Sequence, residues 1–271
     1  MGEVDCMEIK PIVLKLGGSV ITEKNKVATA NLDAIERLAG EIAQSKVTYL
    51  ILVHGGGSFG HPIAKKYNLS EGYTNSSQVI GFSQTHLAMT QLNNLIIEAL
   101  IKHNVNAVVV QPSSCVITKA GRIQRMELTP INRMLKMGLG PVLYGDAVLD
   151  SENGFSILSG DQLISSLAIN FDASKIIFGG DVDGIYTADP KSNPSANLVS
   201  RVTLEELKAQ KYEIKGSKAT DVTGGMLGKI HELIPAITHN IPVLLVNASK
   251  SWRVYKALNG EEVIGTIIEC G

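Results

Sequence analysis

The sequence predicts an α/β protein built on a mostly parallel central sheet with helices on both faces. Three observations predict it. Short apolar runs alternate along the chain with longer segments of helical period. Several of the runs are nearly continuous Val, Ile and Leu, the composition of strands covered on both sides. The 271 residues, 44% hydrophobic and 19% charged, suffice for one large domain or two closely joined lobes and argue against a disordered chain.

The elements follow in order. Residues 12–16 form the first expected strand, which runs into the turn Lys15-Leu-Gly-Gly-Ser19. Residues 31–44 read as a helix: Leu32, Ile35, Leu38, Ala39 and Ile42 share one face, and Asn31 stands where an N-cap belongs. The strand 49–53 leads into His54-Gly-Gly-Gly-Ser-Phe-Gly-His61, and a helix is expected to begin at His61. Further helices are expected at 77–103, 129–137, 162–171, 203–210 and 227–239. Further strands are expected at 107–111, 141–144, 175–178, 243–247 and 265–268. A soft boundary at 170–174 divides an N-terminal lobe, 1–170, from a C-terminal lobe, 171–271, within one continuous sheet.

Composition excludes several classes. A net charge of −1 gives no basic footprint for nucleic acid. Cys6, Cys115 and Cys270 are far apart with no CxxC pair, which argues against a zinc site or a disulfide framework and fits a reducing cytoplasm. The first residues lack a basic region followed by an apolar run, so no signal peptide is expected. No apolar stretch reaches the roughly 18 residues of a membrane span.

The chemistry is expected at the glycine turns. A glycine turn leaving a buried strand exposes backbone N–H groups to an anion, and a following helix turns its positive end to the same spot. Two such cradles predict two phosphate-bearing ligands held face to face. Lys15 can set its ammonium over a phosphate, or be a solvated lysine at a strand end. Three successive glycines, Gly55, Gly56 and Gly57, are best explained by a ligand approaching the backbone. His61 can donate a hydrogen bond to a bound phosphate, although a lone histidine is more often a surface residue. His54 is more simply a packed residue at a strand end. Asp161, in Ser159-Gly-Asp161, can cap the following helix, fix a lysine amine, or do both. Gly179-Gly-Asp-Val-Asp-Gly184 follows a strand, as nucleotide sites do, and makes Asp181 and Asp183 candidates for ribose, base or magnesium. An ordinary Asp-Gly turn would look the same. Thr223-Gly-Gly-Met-Leu-Gly-Lys229 is another glycine turn entering a helix, with Lys229 near the helix start. Neither GxxxxGK[ST] nor GxGxxG occurs.

In this order, Lys15-Leu-Gly-Gly-Ser, His54-Gly-Gly-Gly, Asp161, Gly180-Asp-Val-Asp-Gly-Ile and Gly224-Gly-Met-Leu-Gly-Lys resemble the amino acid kinase superfamily over nearly the whole chain. Within it, Gly-Gly-Gly-Ser-Phe-Gly-His61 is similar to the archaeal-type isopentenyl phosphate kinases. The resemblance implies an open αβα sandwich, a homodimer, ATP with Mg2+, and conversion of isopentenyl phosphate to its diphosphate in an alternative mevalonate route. It implies catalytic roles for Lys15, His61, Asp161 and Lys229, and acceptor contacts from Gly55, Gly56, His61 and Gly160. It implies ATP contacts from Lys15, Leu16, Gly17, Gly18, Ser19, Gly57, Asp181, Gly225 and Lys229. No protein metal ligands are implied.

A prenyl acceptor also needs an apolar pocket. Tyr73, Phe82, Met89 and Ile157 are its candidates, with Val79 and Leu92 on the same expected helix, although such spacing also describes ordinary core. An acceptor carboxylate would call for an arginine, and Arg122, Arg125 and Arg133 all lie outside the glycine motifs. Two alternatives remain: a kinase for another small phosphate or phosphonate, such as fosfomycin or UMP, and a nucleotide-binding member without turnover. The second predicts loss of Lys15, Asp161 or Lys229, and all three are present.

Overall fold

A computed structural model describes residues 10–188, 193, 195–209 and 225–271, with only the backbone for 225–227. Residues 221–224 of the third glycine turn, Cys6 and Gln210 lie outside the described residues. The chain begins with β1 (Ile12–Leu16), α1 (Gly18–Ile21), α2 (Leu32–Ser45), β2 (Leu50–His54), α3 (Gly57–Lys66), α4 (Ser77–Lys102) and β3 (Ala107–Val109). It continues through α5 (Pro112–Cys115), β4 (Val116–Lys119), β5 (Arg122–Met126), α6 (Thr129–Lys136), β6 (Gly140–Tyr144), β7 (Asp146–Asp150) and β8 (Gly154–Leu158). Then come α7 (Gly160–Asn170), β9 (Lys175–Gly180), β10 (Arg201–Thr203), α8 (Leu204–Lys208), α9 (Gly225–Thr238), β11 (Val243–Asn247), α10 (Arg253–Asn259) and β12 (Gly265–Glu269).

Eight strands form the central sheet in the order β10-β12-β11-β9-β1-β2-β6-β3. Every neighbouring pair is parallel except β11 with β12. Strand alternation sends Val13, Ile51, Val53, Ile176 and Phe178 to one face, where α7 and α9 cover them. Leu14, Leu16, Leu50, Leu52 and Ile177 go to the other face, under α2, α4 and α10. The result is the expected αβα sandwich, with the sheet continuous across the 170–174 boundary. No described helix is long and apolar enough to cross a membrane.

Several elements depart from the sequence reading. The strand at 107–111 stops at Val109; Gln111 stays extended before Pro112, which opens α5. β9 runs on through Gly179 and Gly180, which pair with Leu16 and Asn247. α7 starts at Gly160, and Ser159, not Asp161, caps it by accepting from the Gln162 N–H at 3.1 Å. α3 starts at Gly57, which leaves His61 inside the helix rather than at its start. A second sheet, β5-β4-β7-β8, was not legible at all. Its strands are short and interrupted by Lys119, Arg122, Gln124, Arg125, Asp146 and Asp150, the two aspartates buried, so no apolar run marks β4, β5 or β7.

Candidate active site

The turns that follow β1, β2 and β9 meet at the carboxyl ends of the strands. β1 and β9 are neighbours, and the chain continues from β1 to β2 on one side and from β9 to β10 and β11 on the other, which is the switch point where open α/β sheets bind ligands. The ladder continues into the turns. The Gly17 N–H donates to the Gly179 carbonyl at 2.7 Å, and the Gly55 N–H donates to the Leu16 carbonyl at 3.0 Å.

The two glycine turns touch through their backbones. A Cβ on Gly18 would stand 2.3 Å from the Gly57 nitrogen, and one on Gly55 would stand 2.8 Å from the Gly18 nitrogen. Thr22 fastens them: its hydroxyl donates to the Gly18 carbonyl at 2.7 Å and accepts from the Ser58 N–H at 3.0 Å. The sequence reading explained these glycines by a ligand; mutual contact of the turns is a second and sufficient reason for them. The contact also brings the amino end of α1 against that of α3. The positive end of α3 therefore faces the Gly17-Gly18-Ser19 turn, with the Ser58 N–H taken by Thr22 and the Phe59 and Gly60 N–H groups by the Gly56 carbonyl. Gly160, which opens α7, packs on the same turn, its Cβ position 3.3 Å from the His54 carbonyl oxygen.

Lys15 points from β1 toward α7, because alternation places it on the Val13 face. It is 5% exposed, pairs with Asp161 and lies 4.2 Å from the centroid of the Phe178 ring. Asp161, in the first turn of α7, is 7% exposed. A buried ion pair of this kind holds the lysine side chain in one place. Of the two sequence readings of Asp161, the structure realises the lysine contact and gives the cap to Ser159.

The aspartates after β9 differ from each other. Asp181 pairs with Lys24 and accepts from Ser19; burial opposes its charge, but these partners hold its carboxyl below the usual range. Lys24 was missed, since a lysine in the polar loop after α1 carries no local signal. Asp183 has structural partners instead. It accepts from Asn247 Nδ2 at 2.9 Å and Arg253 Nη1 at 2.6 Å, and so ties the loop to β11 and α10.

His61 sits in α3, one helical turn beyond Gly57, with its side chain exposed. His54, buried beneath the turn, stacks on Tyr144 with ring centroids 5.3 Å apart. Burial lowers its pKa to about 4, so the imidazole is neutral near pH 7. Its Nδ1 lies 3.2 Å from the Gly55 carbonyl oxygen, which requires the proton there. Nε2, 3.2 Å from the Asn93 amide, must then accept; turning that amide supplies a donor and gives the otherwise unpartnered Asn93 nitrogen an acceptor.

The apolar candidates divide. Tyr73 and Phe82 pack on Phe155, at 6.0 and 5.6 Å between centroids, and Ile157 shares the Phe155 face of β8. Phe155 was missed. Met89 is buried against Gly56 and Gly60 of α3. Leu92 belongs to the core and Val79 is 54% exposed, so neither joins the aromatic group. On the same helix His86 Nδ1 meets both Asp146 oxygens at 3.0 Å, a contact with no sequence signal; burial pushes the Asp146 carboxyl up. Gly225 opens α9 and Lys229 stands in its second turn, on a helix packed along α7. No group of three His, Cys, Asp or Glu side chains suited to a metal occurs among the described residues.

Two glycine turns in backbone contact at the carboxyl ends of a parallel sheet, beside a buried lysine–aspartate pair, are the arrangement of an α/β fold suited to anionic ligands. The chain belongs to the amino acid kinase family, whose pattern matches residues 10–247. It is 40% identical over 265 residues to the isopentenyl phosphate kinase of Methanothermobacter thermautotrophicus, covering 95% of this chain and 98% of the relative. It is 38% identical over 269 residues to that of Methanocaldococcus jannaschii, covering 95% and 98%. A crystal structure of isopentenyl phosphate kinase superposes with a TM-score of 0.82 at 37% identity, covering 95% of this chain and 99% of the other. UMP kinase from Ureaplasma parvum, at 22% identity and a TM-score of 0.65 over 97% of this chain and all of the other (100%), shares the fold.

Proposed function

We propose that this protein transfers the γ-phosphoryl group of ATP to isopentenyl phosphate, giving isopentenyl diphosphate and ADP. The observation that carries the reading is the buried Lys15–Asp161 pair set beside the contact of the two glycine turns. Its support includes the close similarity to the two archaeal isopentenyl phosphate kinases.

A phosphate oxygen of the acceptor attacks the γ-phosphorus while the bond to the β–γ bridging oxygen breaks. The acceptor is a phosphate monoester, already anionic near pH 7, so the reaction needs no general base. Catalysis is then positioning and charge neutralisation. Lys15, held by Asp161, and Lys229 stabilise the oxygens of the transferred group. The Gly17-Gly18-Ser19 turn takes the ATP phosphates, and Lys24 with Asp181 stands beside it. Leu16, Gly57 and Gly225 complete the nucleotide side. Gly55, Gly56, Gly160 and His61 hold the acceptor phosphate. Tyr73, Phe82, Ile157 and Phe155 wall the prenyl tail, with Met89 behind α3. Magnesium would come with ATP and would add to the neutralisation of phosphate charge, with Asp181 the carboxylate beside the Ser19 turn. Residues 1–170 then form the acceptor lobe and 171–271 the nucleotide lobe, in a cytoplasmic homodimer.

The test is phosphorylation of isopentenyl phosphate, dimethylallyl phosphate, fosfomycin and UMP side by side with labelled ATP. The two prenyl phosphates are expected to turn over about 10²-fold more efficiently than the others, the scale of discrimination an apolar pocket supplies. Preference for UMP or fosfomycin would replace this substrate.

A further inference from the structure

The β4–β5 hairpin belongs to the acceptor side, yet its tip is fastened to the nucleotide side. Arg122, the first residue of β5, donates to Glu232 of α9 through both terminal amines, Nη1 to Oε1 at 2.6 Å and Nη2 to Oε2 at 2.8 Å. Such a two-pronged pair fixes direction as well as distance. Glu232 lies three residues beyond Lys229, hence next to it on the helix surface. The tip itself is rigid. Ala120 and Gly121 both have positive φ, 49° and 75°, and their N–H groups donate to Asp150 at 3.1 and 2.8 Å. From the other side Gln162, 7% exposed, accepts from the Ile123 N–H at 2.6 Å and donates to the Gly121 carbonyl at 3.1 Å. Gln162 is the residue after Asp161. One stiff tip thus joins α7 beside the aspartate of the buried pair to α9 beside Lys229.

We propose that Arg122 and Glu232 are positioning residues that brace α9 against the acceptor lobe and so set the approach of Lys229 to the Lys15–Asp161 pair. The proposal rests on the phosphoryl-transfer reading above. Exposed ion pairs are individually weak, so the brace biases α9 rather than locking it. Its effect falls on the transition state, where small displacements of a charged group are most costly.

The experiment compares Arg122→Gln, Glu232→Gln and the charge exchange Arg122→Glu/Glu232→Arg. Its readouts are steady-state kinetics with ATP and isopentenyl phosphate, and amide hydrogen exchange of α9 without substrates. Each single variant is expected to lower kcat about three- to tenfold, with KM for both substrates within about twofold. Its melting temperature stays within about 2 °C of the parent while α9 amides exchange faster. The charge exchange is expected to restore kcat and protection. Unchanged kcat in both single variants, unaltered α9 exchange, or a double variant as impaired as the singles would overturn the brace. A parent protein inactive on isopentenyl phosphate would overturn the substrate assignment instead, and α9 exchange would still decide the brace.

Discussion

At the scale of single residues, burial separates charges that act from charges that decorate. Lys15 and Asp161 are both withdrawn from water and depend on each other, whereas the Lys10–Asp172 pair is largely exposed and contributes little. Lys15→Ala therefore strands a buried carboxylate. It is expected to lower kcat by at least about 10²-fold and also to destabilise the fold by several kcal/mol, on the order of 3. Adding Asp161→Asn removes the stranded charge; urea unfolding of the double variant should recover stability while turnover stays lost. Recovery of turnover would show that Lys15 serves the fold alone. His61 is exposed and lies in the helix that starts at the glycine turn, so its removal spares the core. His61→Ala is expected to cost about 10²–10³ in kcat with isopentenyl phosphate. ATP affinity, read by titration calorimetry, should be nearly unaltered; equal turnover in the variant would discard the role.

At the scale of elements, helix ends show what is local and what is not. Asn31 caps α2 within its own segment, its side chain accepting from the Ala34 N–H at 3.1 Å. Asn31→Ala is expected to cost about 1 kcal/mol in chemical denaturation with unchanged kcat; a loss of activity at full stability would contradict a purely capping role. α10 has no local cap. Glu41, from the middle of α2, accepts from the N–H groups of Trp252, Val254 and Tyr255 at 3.0, 3.1 and 3.2 Å. That contact joins residues more than two hundred positions apart, which is why α10 escaped sequence reading although α2 and Asn31 did not. α3 escaped in part for a related reason: Gly57 and Gly60 are poor helix formers, and the helix depends on Met89 and Thr22 packing against it.

At the scale of the whole molecule, stability and site share parts. His54 joins β2 to α4 through Asn93 while it supports the Gly55 carbonyl. Its pKa falls from 6.5 to about 4 because burial disfavours the charged ring. The unfolded chain then binds the proton more readily than the folded one. Its contribution is complete above about pH 6.5 and is lost as pH falls toward 4, by on the order of 3 kcal/mol at most. Unfolding free energies from pH 7 to 4 should show this slope in the parent and a shallower one in His54→Gln; parallel slopes would remove His54 as the cause. The second sheet also acts at this scale. It is unmarked in the sequence, yet it supplies Phe155 and Ile157 to the apolar wall and holds the hairpin tip between α7 and α9.

Legible in the chain alone were the alternation of buried strands and amphipathic helices, the parallel order this requires, Lys15 and the glycine turns at strand ends, and Asp161 and Lys229 near helix starts. These follow from local periodicity and from the few residues that suit a turn facing an anion. The packing of distant segments set the rest: the glycines of the two turns face each other, Asp183 accepts from Arg253 and Asn247, and Lys24 joins Asp181. Each of these depends on which distant backbones come within a few ångströms. That is a property of how the layers pack, and no local pattern in the chain encodes it.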